Sequence, residues 1–229
     1  MNGGAPLIVT RPEPGNAATV ARARSLGLDV HAMPLFAARP LDWAPPAAAD
    51  FDALLLTSGF AARLAGAGLG ALASLPAYAV GAATAEAARA AGLTVAMAGD
   101  ADAQRLLDEM TSQKIARILW LCGRERSALN ADDAVVTALP CYAVDPVDPP
   151  PSWDDLIGAP AILLAHSARG AARIAALIAT NRAHLSLVAI SPAVAAAAGE
   201  EWGNVAIAAQ PDDAAMLAQA RALWHKGAK

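Results

Sequence analysis

The chain contains two copies of one α/β unit, and this duplication restricts the possible folds more than any other feature of the sequence. In the first copy, an apolar strand at 52–56 ends in a turn at Ser58 and opens a helix. In the second, an apolar strand at 161–165 ends in a turn at Ser167, 109 residues after the first serine. A further matched pair of strand-to-helix turns lies 110 residues apart, at 78–85 and 188–195. The duplication predicts two lobes with a cleft between them, and helix N-termini, which attract anions, at matching places in both.

Strands and helices alternate along the whole chain. The segments between the apolar runs have the length of single helices, from 13–26 near the start to 212–225 at the end. Because this alternation is typical of parallel sheets covered by helices on both faces, we expect an α/β fold of two similar lobes, each a parallel sheet flanked by helices. The predicted strands lie at 7–10, 28–33, 52–57, 77–80, 93–97, 116–121, 160–165, 186–190 and 204–208.

Two extended segments bounded by prolines interrupt the alternation, at 34–40 and 141–151. They predict two antiparallel crossings between the lobes, which would join 1–34 to 152–229 in one lobe and leave 40–140 as the other. A contiguous division near residue 145 explains the same spacing equally well. The residues alone leave these two arrangements open.

The composition favours a soluble protein that acts on a small molecule. The net charge is −4 and no basic stripe is present, which disfavours a general nucleic-acid binder. The mean hydropathy is +0.37, but a long stretch without Asp, Glu, Lys or Arg, 183–199, contains Pro192 and lacks the ~20 consecutive apolar residues of a membrane span. No basic region precedes the first apolar run, which argues against a signal peptide. We therefore expect a cytoplasmic protein without membrane association.

Short motifs occur in order along the chain. Thr10-Arg11-Pro12 ends the first strand, Phe51-Asp52 is followed by Thr57-Ser58, and a Val-Gly-x-x-Thr-Ala turn lies at 80–85. Gly123 precedes an Arg-x-x-Leu motif at 126–129, and Tyr142 lies in the second extended segment. Taken together, these motifs resemble those of the uroporphyrinogen-III synthase family, and the likeness covers nearly the whole chain.

The second half departs from the family pattern. His166-Ser167 stands where the family commonly has Thr-Ser, and 191–194 stands where it often has Gly-x-x-Thr. Between Leu129 and Tyr142, the helix and closing glycine of the family are shortened in this chain. These departures leave open the alternative that the chain is a degenerate member of the family.

The resemblance implies the discontinuous arrangement. Members of the family fold as two α/β lobes joined by a two-stranded extended linker, with the first βα unit in the C-terminal lobe. The expected domains are therefore 1–34 with 152–229, and 40–140, with the interdomain linker at 35–39 and 141–151 and a cleft between the lobes. The expected state is a monomer.

The resemblance also implies a reaction. Hydroxymethylbilane, a linear tetrapyrrole, loses water and closes to uroporphyrinogen III with its last pyrrole ring inverted. The implied enzyme is a cyclising lyase of haem biosynthesis that needs no cofactor and no metal. Because acetate and propionate carboxylates surround its substrate, the site is expected to offer backbone N–H groups and arginines.

The strand-to-helix turns supply such groups, since unpaired N–H groups point outward from helix N-termini. N-capping of the helices is the alternative role for the hydroxyl side chains in these turns, and the two roles can coexist. The expected substrate-binding residues of the turns are Thr10, Ser58, Gly59, Gly81, Thr84, Ser167, Ala168 and Ser191.

Three arginines and one tyrosine complete the expected site. Arg11 directly follows the first strand, so its side chain is expected to project from the carboxyl edge of the sheet, where open α/β folds bind ligands. Arg126 fits the family motif and Arg124 matches Arg11 in the repeat, although either can be a solvated surface residue. Tyr142 is the candidate catalytic residue, a proton or hydrogen-bond donor to the departing hydroxyl, and packing within the linker is its alternative role.

Other functions compete with this one. A non-catalytic two-lobed binder of a small anionic molecule has the same architecture. A nucleotide-dependent oxidoreductase is disfavoured, because the glycines at 66–70 end a helix instead of joining a strand to one. His166 is expected to stabilise its turn, and Cys122 and Cys141, which lack metal-ligand spacing, are expected to be buried free thiols.

Overall fold

A computed structural model describes residues 4–99, 102–131, 133–178 and 180–227, with side chains up to residue 224. The chain forms two compact units. Unit 1 comprises residues 1–37 and 146–229, and unit 2 comprises residues 38–145. Each unit is therefore described by itself below.

Eleven strands and eight α-helices lie within the described residues, and two 3-10 helices, at Ala48–Asp50 and Gly66–Leu72, accompany them. The strands are β1 (Leu7–Val9), β2 (Val30–Ala32), β3 (Phe36–Pro40), β4 (Ala53–Leu56), β5 (Ala77–Val80), β6 (Val95–Gly99), β7 (Arg117–Gly123), β8 (Val135–Pro146), β9 (Ile162–Ala165), β10 (Ser186–Ala189) and β11 (Asn204–Ile207). The α-helices are α1 (Gly15–Ser25), α2 (Gly59–Leu64), α3 (Ala82–Ala90), α4 (Ala103–Ser112), α5 (Ser152–Ile157), α6 (Ala168–Leu177), α7 (Pro192–Ala197) and α8 (Asp213–Gly227).

Unit 1 is built on a parallel sheet of five strands in the order β11-β10-β9-β1-β2. Leu7 of β1 pairs with Val30 of β2 on one side and with Ile162 of β9 on the other. Since neighbouring residues of a strand point to opposite faces, all three residues of β1 are buried only if both faces are covered. On one face, Val9 packs with side chains of α1 and α8, among them Met216.

Unit 2 is built on six strands in the order β3-β8-β7-β4-β5-β6. β4 lies inside this sheet and pairs in parallel with β5 and β7. Its leucines alternate between two cores: Leu54 and Leu56 pack towards α2 and α3, whereas Leu55 packs towards Leu107 and Met110 of α4. This two-sided burial explains why β4 is a continuous apolar run in the sequence.

The parallel α/β fold predicted from the sequence is confirmed, and each of the nine predicted strands has a counterpart in the structure. Two local predictions were wrong. The second extended segment does not begin at 141: β8 starts at Val135 and pairs in parallel with β7 over most of its length. The glycine-containing stretch at 66–70 belongs to a separate 3-10 helix that follows α2.

β3 and β8 run antiparallel, as predicted for the two extended segments. The N–H of Leu41 donates to the carbonyl of Cys141, and the N–H of Val147 donates to the carbonyl of Leu35, both at 3.0 Å. Residue numbers rise on one strand as they fall on the other, which is the antiparallel pattern.

Candidate functional site

The candidate residues of unit 2 meet at the carboxyl edge of its sheet. Because β7, β4 and β5 are adjacent and parallel, the turns after them lie side by side. Gly123 is the last residue of β7, and Ser58 and Gly81 lie in the turns after β4 and β5. Tyr142 of β8 pairs with Gly123 in the register of the two strands. Parts of the chain that are distant in sequence therefore come together here.

Capping explains the sequence of two of these turns. The side chain of Ser58 accepts a hydrogen bond from the N–H of Phe60 at 3.3 Å and thereby caps α2, which begins at Gly59. Gly81 precedes α3 with a φ of 79°, a conformation that favours glycine. Thr84, in the first turn of α3, is buried. The N–H of Gly81 itself donates to the carbonyl of Gly99 at 2.8 Å, so only the first residues of the helices themselves can offer N–H groups to a ligand. The Thr84 side chain is largely shielded from solvent.

Tyr142 is held by close packing at this edge. Its side chain is buried, and its ring lies 5.6 Å from the ring of Phe60, centroid to centroid. A Cβ on Gly123 would lie 3.0 Å from Cζ of Tyr142, so the glycine provides the space for the phenol. Burial raises the pKa of Tyr142, and a hydrogen bond with Ser58 opposes that effect. The phenol is therefore protonated at neutral pH and able to donate a hydrogen bond.

The structure separates the two arginines after β7. Arg124 is held by two carboxylates, with Nε 2.7 Å from Glu125 and Nη2 2.5 Å from Asp145. The guanidinium of Arg126 lies 5.9 Å from the ring centroid of Trp120 and donates to the carbonyl of Arg124 at 3.1 Å. Since Arg124 is already neutralised, Arg126 is the better candidate for binding an anion.

Two features of this edge were missed from the sequence. A Cβ on Gly59 would lie only 2.5 Å from Nη1 of Arg63. The guanidinium of Arg63 therefore lies across the start of α2. The spacing of four residues, which brings two positions to one helix face, was the available signal. Trp120 Nε1 donates to Thr57 at 3.1 Å and so supports the turn from within the sheet; no local motif indicates that contact.

The candidate residues of unit 1 lie at the carboxyl edge of its own sheet. Thr10 is buried and donates to the carbonyl of Leu164 at 2.9 Å, so its hydroxyl ties the end of β1 to β9. Ser167 caps α6 by accepting from the N–H of Gly170 at 3.0 Å, and Ser191 caps α7 in the same way. Ala168 begins α6 and can offer only its backbone N–H to a ligand. The capping role expected for both serines is present.

Arg11 and His166 share a partner that was not identified from the sequence. Arg11 Nη1 lies 3.3 Å from Oδ1 of Asp213, and its side chain is 35% exposed. His166 Nε2 lies 3.0 Å from the same oxygen, and both His166 and Asp213 are largely shielded from solvent. Burial lowers the pKa of His166, against the opposing effect of Asp213. Burial alone would raise the pKa of Asp213, but hydrogen bonds from His166, Thr19 and Arg22 outweigh that effect and depress it.

These shifts predict a two-step loss of stability on acidification. The pKa of His166 is lowered from 6.5, so the unfolded chain takes up this proton first, and the free energy of unfolding should fall as the pH drops below 6.5. Each pH unit between the folded and unfolded pKa values accounts for about 1.4 kcal/mol. The stabilisation from Asp213, whose pKa is lowered from 3.8, is complete above that value and should be lost at lower pH. Urea unfolding at a series of pH values measures both steps.

A variant separates the histidine step from general acid sensitivity. His166→Asn should flatten the pH dependence just below pH 6.5 while the carboxylate step persists. His31→Asn is the matched control, because His31 is exposed to a far greater extent, with a side chain that is 38% accessible. An unchanged slope in His166→Asn would contradict the assignment.

The described residues contain no group of three or more His, Cys, Asp or Glu side chains placed to hold a metal ion. None of the helices in the described part of the chain is long and apolar enough to cross a membrane. Cys122 and Cys141 are free and buried, as the sequence predicts. Burial raises the pKa of Cys141 to about 12, so this thiol stays protonated.

Comparisons with known proteins agree on one family. The family model described as uroporphyrinogen-III synthase HemD matches residues 17–218. The crystal structure of uroporphyrinogen-III synthetase from Helicobacter pylori 26695 superposes with a TM-score of 0.69 and 18% sequence identity, over 95% of this chain and 98% of that one. A mutant uroporphyrinogen III synthase from the extremely thermophilic bacterium Thermus thermophilus superposes with a TM-score of 0.53 and 18% identity, over 97% of this chain and 99% of that one. No curated protein sequence matches.

Proposed function

This chain belongs to the uroporphyrinogen-III synthase family and is an enzyme of haem biosynthesis, and on that basis we propose that it acts as a cofactor-independent lyase. Its substrate is hydroxymethylbilane, and its product is uroporphyrinogen III, in which the last pyrrole ring is inverted. The observation that carries the proposal is the family match over residues 17–218. We propose a monomer that acts in the cytoplasm on this small molecule.

The reaction needs little acid strength. The C–O bond of the hydroxymethyl group breaks, and the hydroxyl leaves as water after it gains a proton. Because the last ring is inverted, its α carbon that already carries a bridge attacks the resulting azafulvene cation. The old bridge bond then breaks to give a second azafulvene cation, which the free α carbon of the same ring attacks, and loss of a proton from that carbon restores the pyrrole. In this proposal Tyr142 donates a hydrogen bond to the departing hydroxyl. Its raised pKa keeps the phenol protonated for that role.

Positioning is the larger task of the protein. Without an enzyme the linear chain also closes, to the isomer in which no ring is inverted. The protein must therefore favour one geometry of ring closure over another, and a tenfold preference requires a difference of only ~1.4 kcal/mol between the two barriers. Fixed groups at rigid strand ends are suited to such small differences.

The carboxylates of the substrate provide the handles for positioning. In unit 2 we assign this role to Arg126 and to backbone N–H groups at the starts of α2 and α3, with Arg124 as a lesser contributor because Glu125 and Asp145 already neutralise it. In unit 1 we assign it to Arg11, to N–H groups at the start of α6 and to Ser191 before α7, since Pro192, the first residue of α7, has no N–H. The serines that cap these helices keep the N–H groups in place.

The direct test is product analysis. Purified protein is incubated with freshly generated hydroxymethylbilane in the presence of EDTA, and the oxidised products are separated by HPLC. We expect mainly isomer III, without any added cofactor, whereas a reaction without protein should yield isomer I. Isomer I alone in both reactions would overturn the proposal and favour a non-catalytic binder of the same architecture.

A further inference from the structure

Asp213 brings together side chains from three separate parts of unit 1. It is the first residue of α8, and its carboxylate is 11% exposed. Besides Arg11 and His166, it contacts α1: Oδ2 lies 2.6 Å from Nη1 of Arg22 and 2.8 Å from the hydroxyl of Thr19. A carboxylate with this many donors is fixed in place. It therefore restricts the groups that it binds.

Gly15 provides the space in which the Arg11 side chain lies. A Cβ on Gly15 would lie 2.4 Å from Nε and 2.7 Å from Cζ of Arg11. Both distances are well below van der Waals contact, so an alanine at this position would displace the guanidinium. Because Gly15 is the first residue of α1, the Arg11 side chain lies across the start of that helix.

The two arginines share Asp213 unequally. Arg22 makes the shorter contact, but it lies in the second half of α1 and its side chain is 59% exposed. Arg11 makes the longer contact and lies two residues after β1, at the carboxyl edge of the sheet. With His166 neutral, one carboxylate facing two guanidinium groups leaves one positive charge uncompensated. Since Arg11 is the arginine at the edge, an anion that binds there meets this charge.

We propose that Asp213 and Gly15 position Arg11 to bind a carboxylate of the substrate, an inference that rests on the proposed function. Asp213 holds one side of the guanidinium, and Gly15 lets the group lie close to the backbone. A guanidinium has five N–H donors, and the pair with Asp213 uses only its Nη1. The remaining donors can face a ligand in a fixed orientation, which reduces the entropy lost on binding.

The expected signature is a change in KM. The rim carboxylates are present in the substrate and in the transition state alike, so Arg11 contributes equally to the binding of both. Loss of such an interaction raises KM and leaves kcat nearly unchanged. A general loss of structure would lower kcat or the amount of folded protein instead.

Three variants address the arginine and its two supports. Arg11→Ala should raise KM about tenfold, as expected for a lost charge-assisted hydrogen bond. Asp213→Asn and Gly15→Ala should each raise KM by roughly threefold to tenfold, with kcat within about twofold of the wild type. Asp213→Glu, which restores the charge, should recover part of the loss. In the Arg11→Ala background, neither Asp213→Asn nor Gly15→Ala should raise KM further.

Arg22→Ala is the matched control. It removes the shorter ion pair to the same carboxylate but leaves Arg11 and Gly15 in place. We expect a lower melting temperature, because an ion pair is lost. We expect a KM within about twofold of the wild type, since a twofold difference is ordinary scatter among surface substitutions. A rise in KM equal to that of Asp213→Asn would show that any disruption of the cluster has the same effect, and it would overturn the inference.

Other outcomes are equally decisive. A wild-type KM in Asp213→Asn would also overturn the positioning role, as would a further increase in KM when Asp213→Asn is combined with Arg11→Ala. Production of isomer III by the wild type would leave the proposed function intact in either case. If the wild type makes only isomer I, the same variants are titrated with uroporphyrin III, the oxidised product. Weaker binding by Asp213→Asn and Gly15→Ala then supports the inference, and no binding by the wild type overturns it.

Discussion

Replacing Tyr142 with phenylalanine should lower kcat about tenfold to a hundredfold while the product remains isomer III. General acid assistance contributes roughly 10²–10⁴-fold in enzymes, and the lower part of this range applies here because the hydroxyl leaves readily from an electron-rich pyrrole. The isomer should not change, because positioning and proton donation depend on different groups. Initial rates and the isomer ratio are measured together by HPLC after oxidation.

The chain contains one other tyrosine, and it provides the control. Tyr78 is also buried in unit 2, and its hydroxyl lies 3.2 Å from Gln113, within the core cluster on the opposite face of the sheet from Tyr142. Tyr78→Phe therefore loses a comparable hydroxyl and should keep kcat within about twofold. If Tyr142→Phe folds and retains the wild-type kcat, Tyr142 has only a packing role.

The second large effect concerns the first forty residues. In a fragment of residues 1–145, the amides of β1 and α1 should exchange almost as fast as in an unfolded chain, although they are protected in the full protein. The reason is that β1 loses β9, its neighbour on one side, and the cover of α8 on one face. β2 alone is too short to hold it, since two-stranded pairs are at best marginally stable.

The fragment 38–145 is the matched control, because it retains all of unit 2, including most of β8. It should fold with cooperative unfolding and keep its protected amides. Hydrogen exchange followed by mass spectrometry compares the two fragments with the full chain. Full protection of β1 and α1 in the fragment 1–145 would contradict the discontinuous domain assignment.

Patterns local in sequence accounted for much of the fold. The apolar run at 53–56 predicts a buried strand, and β4 is buried there because both of its faces are covered. The positions of three serines before apolar helical segments predict helix caps, and Ser58, Ser167 and Ser191 all cap helices. The length of β8 was underestimated, because Pro140 and the bulge beside it interrupt the alternation that marks a strand. Local chemistry therefore predicted the starts of the serine-capped helices better than the bounds of β8.

The candidate site was predicted only where its chemistry follows from position in the chain. Arg11 could be placed at a strand end, but its partner Asp213 is 202 residues away, and no spacing rule relates the two. Arg124 and Arg126 could not be distinguished from the repeat, because the carboxylate of Asp145 that neutralises Arg124 lies on another strand. Ion pairs between distant segments depend on tertiary packing, and that information is absent from a local pattern.

The pairing of β1 with β9 also sets how long β1 of the newly made chain waits for its neighbouring strand. Thr10 bonds to the carbonyl of Leu164, 154 positions further along, so the first strand leaves the ribosome long before its neighbour exists. At a synthesis rate of about 5–20 residues per second, the delay is on the order of ten seconds. Unit 2 can fold during that interval, whereas Leu7, Ile8 and Val9, all buried in the finished protein, remain exposed. The newly made chain therefore carries this short apolar segment without its β9 neighbour until synthesis is nearly complete.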